Sequence, residues 1–583
     1  MNLSEQLLSW QQLQPNLFIN TLSDQSVGFF DLQANAREAI CQFINNPYCP
    51  LLMLKGNLQT EVMRELEHFI AVQKKPLSIA GVRYEITQAD SAEFAKVSLF
   101  PAQSVSDNFA AKKTVTIASY FDQNQLFGAI QIHSVSKAIQ LKAGLVHQLN
   151  QGVLILSLSA LLDNFALWPR LKQILINQHF DWYSTHPFKS LPCDIPSYPL
   201  NLKVILLGNR DELAEFNELE SELYPFAAYA ELESYYAMQT EENQQKWADY
   251  VQTLAQQNGL PKLSLDGLNA LYQLLVRESE DRHLINITPD SLKALLSQAA
   301  TAYSSSESNV QLIADHFHAV FSWQRTQYGF LREQAYRDIL ADQVYVETEG
   351  NAVGQINGLS VISYTGTPLS FGEPSRISCI VQFGEGEIVD IERKSELAGN
   401  IHGKGMMIAQ TCLANLLALP SQLPFSASLV FEQSYAEIDG DSASLAAFCV
   451  LTSALSDLPI PQSIAITGAI DQFGLVHAVG GVNDKIEGFF EICQRRGLNS
   501  QQGVIIPTTV LNQLSLSEVV KTAVKNQQFF IWAIDDVFQA CEILFAIPLL
   551  SNEKESIAQI IHQRIGQNEI QSNWFKRLLK RKS

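Results

Sequence analysis

Three continuous apolar runs constrain the fold of the N-terminal part of this chain. They cover residues 50–56, 152–158 and 202–208, and a helical pattern over Glu61–Val72 follows the first of them. Each run is apolar without alternation, which is typical of a strand in a parallel sheet that is covered on both faces. The alternation of such strands with helical patterns predicts a doubly wound α/β domain over residues 28–230.

The turn after the first run has the position of a phosphate-binding loop but not its residues. Such a loop reads GxxxxGK followed by Ser or Thr, because its backbone N–H groups and its Lys hold the phosphates. Counted from Gly56, the last three positions carry Glu61, Val62 and Met63. Gly56 and Thr60 therefore remain only as parts of a degenerate loop, and we expect poor binding of a triphosphate.

The ends of the next two runs are equally unlike those of an ATPase. Ser157 and Leu158 stand where acidic residues would hold magnesium. Asn209 ends the third run, at the position where such ATPases place a residue that senses the nucleotide. The sequence therefore predicts weak or absent ATP hydrolysis and no confident cofactor-binding residue.

Length and pattern divide the 583 residues into several domains, since one core does not grow to this size. Residues 235–345 are largely helical in pattern, and short strands with glycine turns begin after Gly350. We predict an N-terminal helical segment (1–27), the α/β domain (28–230), a helical lid and linker (231–349), an α+β domain (350–548) and a polar, basic C-terminal tail (549–583).

Composition excludes several classes of function. The net charge of −20 argues against a nucleic-acid partner, which needs a basic face. The eight cysteines form no CxxC pair and no cluster with zinc spacing, so we predict no metal site. The first residues do not resemble a signal peptide, and no apolar run has transmembrane length. We therefore expect a cytoplasmic protein without a membrane partner.

Ser442 lies where the second domain passes from a strand to a helix. The apolar run 428–431 precedes the stretch 437–444, and the apolar run 445–451 follows it. This order predicts that Ser442 lies on a turn near a helix N-terminus, where free N–H groups collect. Two interpretations stay open, because Ser and Asp before a helix are also common N-cap residues.

Lys485 is the residue that could activate such a serine. It lies near the start of a predicted helix over 481–496, beside the apolar residues Ile486 and Phe489. Apolar neighbours and the positive end of a helix both disfavour an ammonium ion, so the pKa of Lys485 can fall. A neutral amine can take the proton from a serine hydroxyl. The alternative is an ordinary solvated lysine.

Three segments together resemble the Lon peptidase family. They are Gly440–Ser444, Ile466–Ile470 and Gly480–Lys485, with 43 positions between Ser442 and Lys485. The segments 432–435 and 400–405 are similar to the B-type branch of that family. Upstream, the chain resembles a degraded AAA+ module. The resemblance implies a multidomain α/β protein, in which an AAA+-like α/β domain with a helical lid precedes an α+β Lon-type protease domain.

The resemblance also implies roles for single residues. Ser442 would be the nucleophile and Lys485 the general base, and Thr467 would hold the lysine amine. Backbone N–H groups around Asp441 and Ser442 would meet the oxyanion, Asp441 would contact the dyad, and His402 would lie near the site.

The implied activity is a serine endopeptidase that cleaves unfolded or damaged proteins in a hexameric ring. Peptide cleavage itself needs no cofactor, and the ATP and magnesium used by the family are in doubt here because the motifs are degenerate. A catalytically silent Lon-like scaffold or adaptor in protein quality control is the alternative. A DNA-binding regulator would depend on the short basic run at 576–582 and is poorly supported by the acidic charge.

Overall fold

The N-terminal part of the protein, in a computed structural model, is built on a five-stranded parallel sheet. The structure describes residues 5–23, 25–74, 81–87, 95–136, 138–184, 190–222, 226–302, 311–420, 422–434 and 438–567. The first strands are β1 (Leu51–Lys55), β2 (Val82–Thr87), β3 (Lys96–Pro101), β4 (Val115–Ala118), β5 (Ala129–Ile132), β6 (Ile139–Lys142), β7 (Val153–Ser157), β8 (His179–Phe180), β9 (Tyr198–Pro199), β10 (Lys203–Gly208) and β11 (Ala227–Glu231). The helices are α1 (Ala34–Asn45), α2 (Thr60–Gln73), α3 (Gln123–Phe127), α4 (Leu145–Gln148), α5 (Leu158–Asp163), α6 (Trp168–Asn177) and α7 (Arg210–Leu219).

The three apolar runs form the centre of this sheet. They become β1, β7 and β10, and the order across the sheet is β11-β1-β10-β7-β4 with every pair parallel. All five side chains of β7 and all six of β10 are buried. The predicted multidomain α/β class is confirmed.

The N-terminal segment differs from the predicted helix. Its described residues contain only a short 3-10 turn at Trp10–Leu13, and the rest is irregular. The Leu8 N–H donates to the Ile531 carbonyl at 2.9 Å, and Leu8 and Leu13 are buried there. Pairing with a strand from the other end of the chain therefore overrides the local helical pattern.

The middle of the chain is helical, as its periodicity predicts. It contains α8 (Glu241–Gln257), α9 (Leu265–Ser279), α10 (Pro289–Thr301), α11 (Ala314–Gln327) and α12 (Phe330–Leu340), with the strands β12 (Tyr235–Ala237) and β13 (Leu284–Asn286). We call residues 235–340 the helical region. The apolar positions Leu268, Leu271, Leu292 and Leu296 are fully buried, so each helix packs with one face toward a shared core.

The C-terminal part contains a seven-stranded mixed sheet, two small two-stranded sheets and helices. Its strands are β14 (Asn351–Ala352), β15 (Gln355–Ile362), β16 (Phe371–Gly386), β17 (Ile388–Asp390), β18 (Leu423–Phe431), β19 (Ile460–Pro461), β20 (Ile464–Ile466), β21 (Ala469–Ile470), β22 (Val476–His477), β23 (Gly503–Pro507) and β24 (Phe530–Ile534). The helices are α13 (Ile391–Lys394), α14 (Asn400–Leu416), α15 (Ser444–Ser456), α16 (Val482–Arg496), α17 (Glu518–Lys525) and α18 (Val537–Phe545). The sheet order is β17-β18-β16-β15-β20-β23-β24.

The segment after residue 548 is not simply a polar tail. A helix covers 557–567, and Ile557 and Ile561 are fully buried in the core around α15 and α18. Two isoleucines one turn apart are enough to bury one face of a helix that is otherwise polar. The basic run at 576–582 lies outside the described residues.

No helix in the described ranges is long and apolar enough to span a membrane.

Candidate active site

Ser442 lies on the turn that connects β18 to α15. Gly440 has a φ of +103°, and the Ser444 N–H donates to the Asp441 carbonyl at 2.9 Å, so the chain folds sharply just before the helix. The N-cap residue is Ala443, and no side chain caps this helix. The N-cap interpretation of Ser442 is therefore wrong. Residues 435–437, which belong to the predicted stretch, lie outside the described residues.

The hydroxyl of Ser442 and the backbone N–H groups beside it have no hydrogen-bond partner among the described residues. Within the described part of the chain, the Ser442 hydroxyl makes no hydrogen bond, and the N–H groups of Asp441 and Ser442 have no acceptor. Ser442 is partly exposed to solvent. An accessible hydroxyl beside free N–H donors is what nucleophilic attack with oxyanion stabilisation requires.

The segment around Thr467 is bonded directly to this turn. The Gly468 N–H donates to the Ser442 carbonyl at 2.9 Å, and the Leu445 N–H donates to the Gly468 carbonyl at 3.2 Å. Ser444 is used structurally, because its hydroxyl accepts from the Ile470 N–H at 2.9 Å. Backbone bonds thus hold Thr467 next to the Ser442 turn, as the predicted constellation requires.

Lys485 enters from the first turn of α16. Its side chain is 4% exposed, and its Nζ donates to Oγ1 of the fully buried Thr467 at 3.3 Å. Burial lowers the pKa of Lys485 to about 8, against the opposing charges of Glu280 and Asp441. The alternative of a solvated lysine is therefore wrong: Lys485 is buried, and the burial disfavours its charged form.

Close packing at glycines brings α16, the helix that carries Lys485, against β16. A Cβ on Gly372 of β16 would lie 1.9 Å from the Asp484 carbonyl, and one on Gly488 of α16 would lie 2.3 Å from the Gly372 carbonyl. Gly481 begins the helix with a φ of +65°, which disfavours other residues. These positions need glycine because backbone meets backbone there, and the position of Lys485 depends on that contact.

The start of α14 packs against the other side of the Ser442 turn. A Cβ on Gly405 would lie 2.9 Å from the Asp441 Cβ, and the His402 N–H donates to Asp439 Oδ1 at 3.3 Å. Asp441 itself is exposed, and its carboxylate raises the pKa of Lys485 without a hydrogen bond to it. Asp441 thus acts on the lysine through its charge.

The side chain of His402 lies in a buried acidic cluster and makes no hydrogen bond to Ser442, Thr467 or Lys485. Its Nε2 is 3.4 Å from Asp390 Oδ2, and its ring packs edge-on against Phe431. Burial, together with the neighbouring Asp390, raises the pKa of Glu392 to about 7. His402 contacts the segment before Ser442 through its backbone, because its N–H donates to the Asp439 side chain.

Comparison with known proteins shows the family of this chain. The family model described as "LonB-like, AAA domain" matches residues 111–232, and "Lon protease (S16) C-terminal proteolytic domain" matches 434–543. A "Putative Lon protease homolog" of Haemophilus influenzae is 59% identical over 580 residues, which cover 98% of this chain and 96% of that protein. One of Escherichia coli is 40% identical, over 96% of this chain and 93% of that protein. The chain belongs to the Lon protease family.

More distant Lon proteins match part of the chain. An "Archaeal Lon protease" of Thermoplasma acidophilum is 25% identical over 337 residues, which cover 56% of this chain and 48% of that protein. The two family models match both an AAA region and a proteolytic region. The combination of these two regions in one Lon-family chain agrees with the two sheets of the structure.

The loop that would hold a nucleotide in this Lon-family chain is filled by its own side chains. Asp290 of α10 accepts from the Glu61 N–H at 3.1 Å and from the Val62 N–H at 3.2 Å. The Glu61 carboxylate pairs with Lys293 at 2.6 Å and with Arg64 at 2.9 Å. The N–H groups at the start of α2 therefore meet a carboxylate where an ATPase would present them to phosphate.

The remaining nucleotide positions are also used structurally. Asn209 caps α7 by accepting from the Glu212 N–H at 2.9 Å, and Ser157 caps α5 by accepting from the Ala160 N–H at 3.3 Å. A Cβ on Gly56 would meet Leu232 at 3.0 Å, so this turn is packed against apolar side chains. Among the described residues no cluster fits a metal ion. The residues present do not fit ATP and magnesium.

Sequence reasoning missed the roles of three acidic residues, two near the Ser442 site and one at the nucleotide loop. Glu280 reaches Lys485 from the helical region, Asp439 caps α14, and Asp290 fills the nucleotide loop. Each acts on a segment that is distant in sequence, and none belongs to a motif. Only the family spacing could place Ser442, Thr467 and Lys485 together beforehand.

Proposed function

We propose that this Lon-family chain is a serine endopeptidase with a Ser–Lys dyad. The observation that carries the proposal is the buried amine of Lys485, whose pKa is lowered to about 8. The amine donates to the Thr467 hydroxyl, and the next residue, Gly468, is hydrogen-bonded to the carbonyl of Ser442. A structural lysine would instead have its N–H groups filled, as the buried Lys203 does by donating to three backbone carbonyls. Among the described residues, the Lys485 amine donates only to the Thr467 hydroxyl. Burial without a carboxylate partner costs stability, and general-base catalysis explains why it is kept.

In the proposed reaction, neutral Lys485 takes the proton from the Ser442 hydroxyl as its oxygen attacks the peptide carbonyl carbon. The resulting oxyanion accepts hydrogen bonds from the free N–H groups of Asp441 and Ser442. The Lys485 ammonium then protonates the leaving amine, and an acyl-enzyme forms at Ser442. Water, deprotonated by Lys485, hydrolyses the ester and restores both residues.

Thr467 and Asp441 support the lysine in this reaction. The Thr467 hydroxyl accepts from the amine and fixes its direction. The Asp441 charge favours the ammonium form that exists between the two proton transfers. Both residues thus act on the proton carrier, and His402 supports the turn only through its backbone.

The proposed substrates are polypeptides that are already unfolded. The nucleotide loop is filled by Asp290, so no step uses ATP. We further propose a cytoplasmic enzyme that assembles as a homo-oligomer, with a hexameric ring as the form that family membership favours.

A catalytically silent scaffold is the second candidate. The degenerate nucleotide loop favours it, since one activity of the family has been lost from the same chain. The Ser442 turn, Thr467 and Lys485 favour the peptidase instead, because a scaffold has no need of a buried amine that is bonded to a threonine beside a free serine hydroxyl.

Cleavage of unfolded casein distinguishes the two candidates. We expect the wild type to cleave it, Ser442→Ala to be inactive, and the exposed Ser395→Ala of the same domain to match the wild type. No cleavage by the wild type would favour the scaffold. Equal cleavage by wild type and Ser442→Ala would overturn the assignment of the nucleophile.

A further inference from the structure

The C-terminal end of α9, in the helical region, reaches the helix that carries Lys485. Glu280 follows α9 with a φ of +53°, a left-handed conformation that is uncommon for residues other than glycine. From there its Oε1 accepts from the Gly481 N–H at 2.6 Å. The unusual backbone conformation is thus coupled to a short contact with the start of α16.

A second residue of α9 holds the same turn of α16. Arg277 donates to Asp484 at 2.6 Å and to Glu487 at 2.8 Å. Arg277 therefore binds the residue before Lys485 and the residue two positions after it, while Glu280 binds Gly481, one turn before Lys485. We call Arg277 and Glu280 the α9 clamp.

The peptide bonds of Gly481 connect the clamp to the lysine. The Gly481 N–H donates to Glu280, and its carbonyl accepts from the Lys485 N–H at 3.0 Å. A shift of Glu280 would therefore move the first hydrogen bond of α16. The Lys485 side chain leaves the helix at that same turn and ends on Thr467.

The charges around Lys485 come from three elements. Glu280 of the helical region and Asp441 of the Ser442 turn both favour its ammonium form, with Glu280 the stronger. Asp484 and Glu487, on the lysine's own helix, are paired with Arg277. Glu373 of β16 follows Gly372, which faces α16, so its side chain lies on the other face of the strand. Glu280 is thus the neighbouring charge that raises the pKa of Lys485 most, and it comes from the helical region.

We propose that Glu280 is a positioning residue through which the helical region fixes and tunes the catalytic Lys485. This inference rests on the proposed function. It assigns to the helical region a direct influence on the dyad, separate from any handling of nucleotide. Movement of α9 relative to α16 would change the alignment and the charge of the general base together.

Two substitutions separate the hydrogen bond from the charge. Glu280→Gln keeps an acceptor for the Gly481 N–H but removes the charge, and a cavity of about 600 Å³ beside the clamp leaves room for the amide. We expect the acidic limb of the kcat/KM profile to move to lower pH by about 0.5 to 1. Activity at pH 7 would then rise about two- to fivefold, with little change at pH 9.5. Glu280→Ala also loses the acceptor, and we expect at least a tenfold loss at pH 9.5.

Glu278→Gln is the matched control, because Glu278 is an exposed residue of the same helix with the same charge. Its pH profile should match that of the wild type. A profile of Glu280→Gln that is identical to that of Glu278→Gln would overturn the inference, while wild-type cleavage would leave the proposed function standing.

Carbamylation of Lys485 by cyanate gives a readout that does not require activity. The reagent reacts with the neutral amine, so in a Ser442→Ala background Glu280→Gln should increase modification at pH 7 about two- to fivefold. Unchanged modification would contradict the inference even if the wild type cleaves nothing, and a melting temperature close to that of Glu278→Gln would show that the variant is folded.

Discussion

At the scale of single residues, the proposed role of Lys485 as a general base requires a buried amine, and burying that amine lowers the stability of the folded protein. The folded protein buries an amine whose pKa is about 8, below the ordinary 10.5. At pH 7 the amine is charged in both the folded and the unfolded state, so the full cost of burying the charge is present. That cost falls as the pH rises from 8 to 10.5, because the folded form loses its proton first.

Replacement of Lys485 by Met is therefore expected to stabilise the protein while it abolishes cleavage. The gain should be about 1–3 kcal/mol at pH 7 and should disappear as the pH approaches 10.5. Thermal melting at pH 7 and pH 10.5, alongside the casein assay, measures both effects. A variant that is less stable than the wild type at pH 7 would show that Lys485 is a structural residue.

The residues of the site differ in how far the sequence could place them. Ser442, Thr467 and Lys485 lie in segments with a family spacing, and the hydrogen bonds at Gly468 and Thr467 bring those segments together. Glu280 has no local signal, because its role depends on how α9 packs against a helix some two hundred positions away. Long-range packing of this kind is not encoded in a window of neighbouring residues.

At the scale of elements, α9, α11 and α16 meet at a buried ionic network. Glu487 of α16 is 3% exposed and pairs with Arg277 of α9 and Arg325 of α11. Burial raises the pKa of Glu487, but the two arginines outweigh it and lower the pKa to about 2. The stability from this carboxylate is therefore present above about pH 4.5 and is lost as the pH falls toward 2.

Removing the charge of Glu487 should weaken the contact between the helical region and the protease sheet. Glu487→Gln leaves the partly buried Arg277 and Arg325 with only Asp484 and Glu491 as carboxylate partners. We therefore expect a loss of about 1–3 kcal/mol at pH 7. Chemical denaturation beside the exposed Glu278→Gln measures it. A loss equal to that of the control would mean that the network contributes nothing to this contact.

The elements show where local patterns suffice. The three apolar runs and the helical faces of α9 and α10 form as predicted, because periodicity reports which face is buried. The described part of the N-terminal segment does not form its predicted helix, and residues 557–567 form a helix that is packed into a core and is not a solvated tail. Leu8 pairs with Ile531 of β24, and Ile561 packs into the core around α15 and α18. In both cases the contacting residues lie far away in the sequence.

At the scale of the whole molecule, the chain combines the proposed Ser442–Lys485 site with a degenerate nucleotide loop whose helix start is bound by Asp290. Asp290 binds the start of α2 from the helical region. The same region holds α16 through the α9 clamp. The helical region thus links the start of α2 to α16, the helix of Lys485.

The rate of casein cleavage with and without ATP and magnesium tests this account most directly. We predict the same initial rate in both conditions for the wild type and no cleavage by Ser442→Ala in either. Cleavage that requires ATP would contradict the account of the filled nucleotide loop, and cleavage by Ser442→Ala would contradict the account of the dyad.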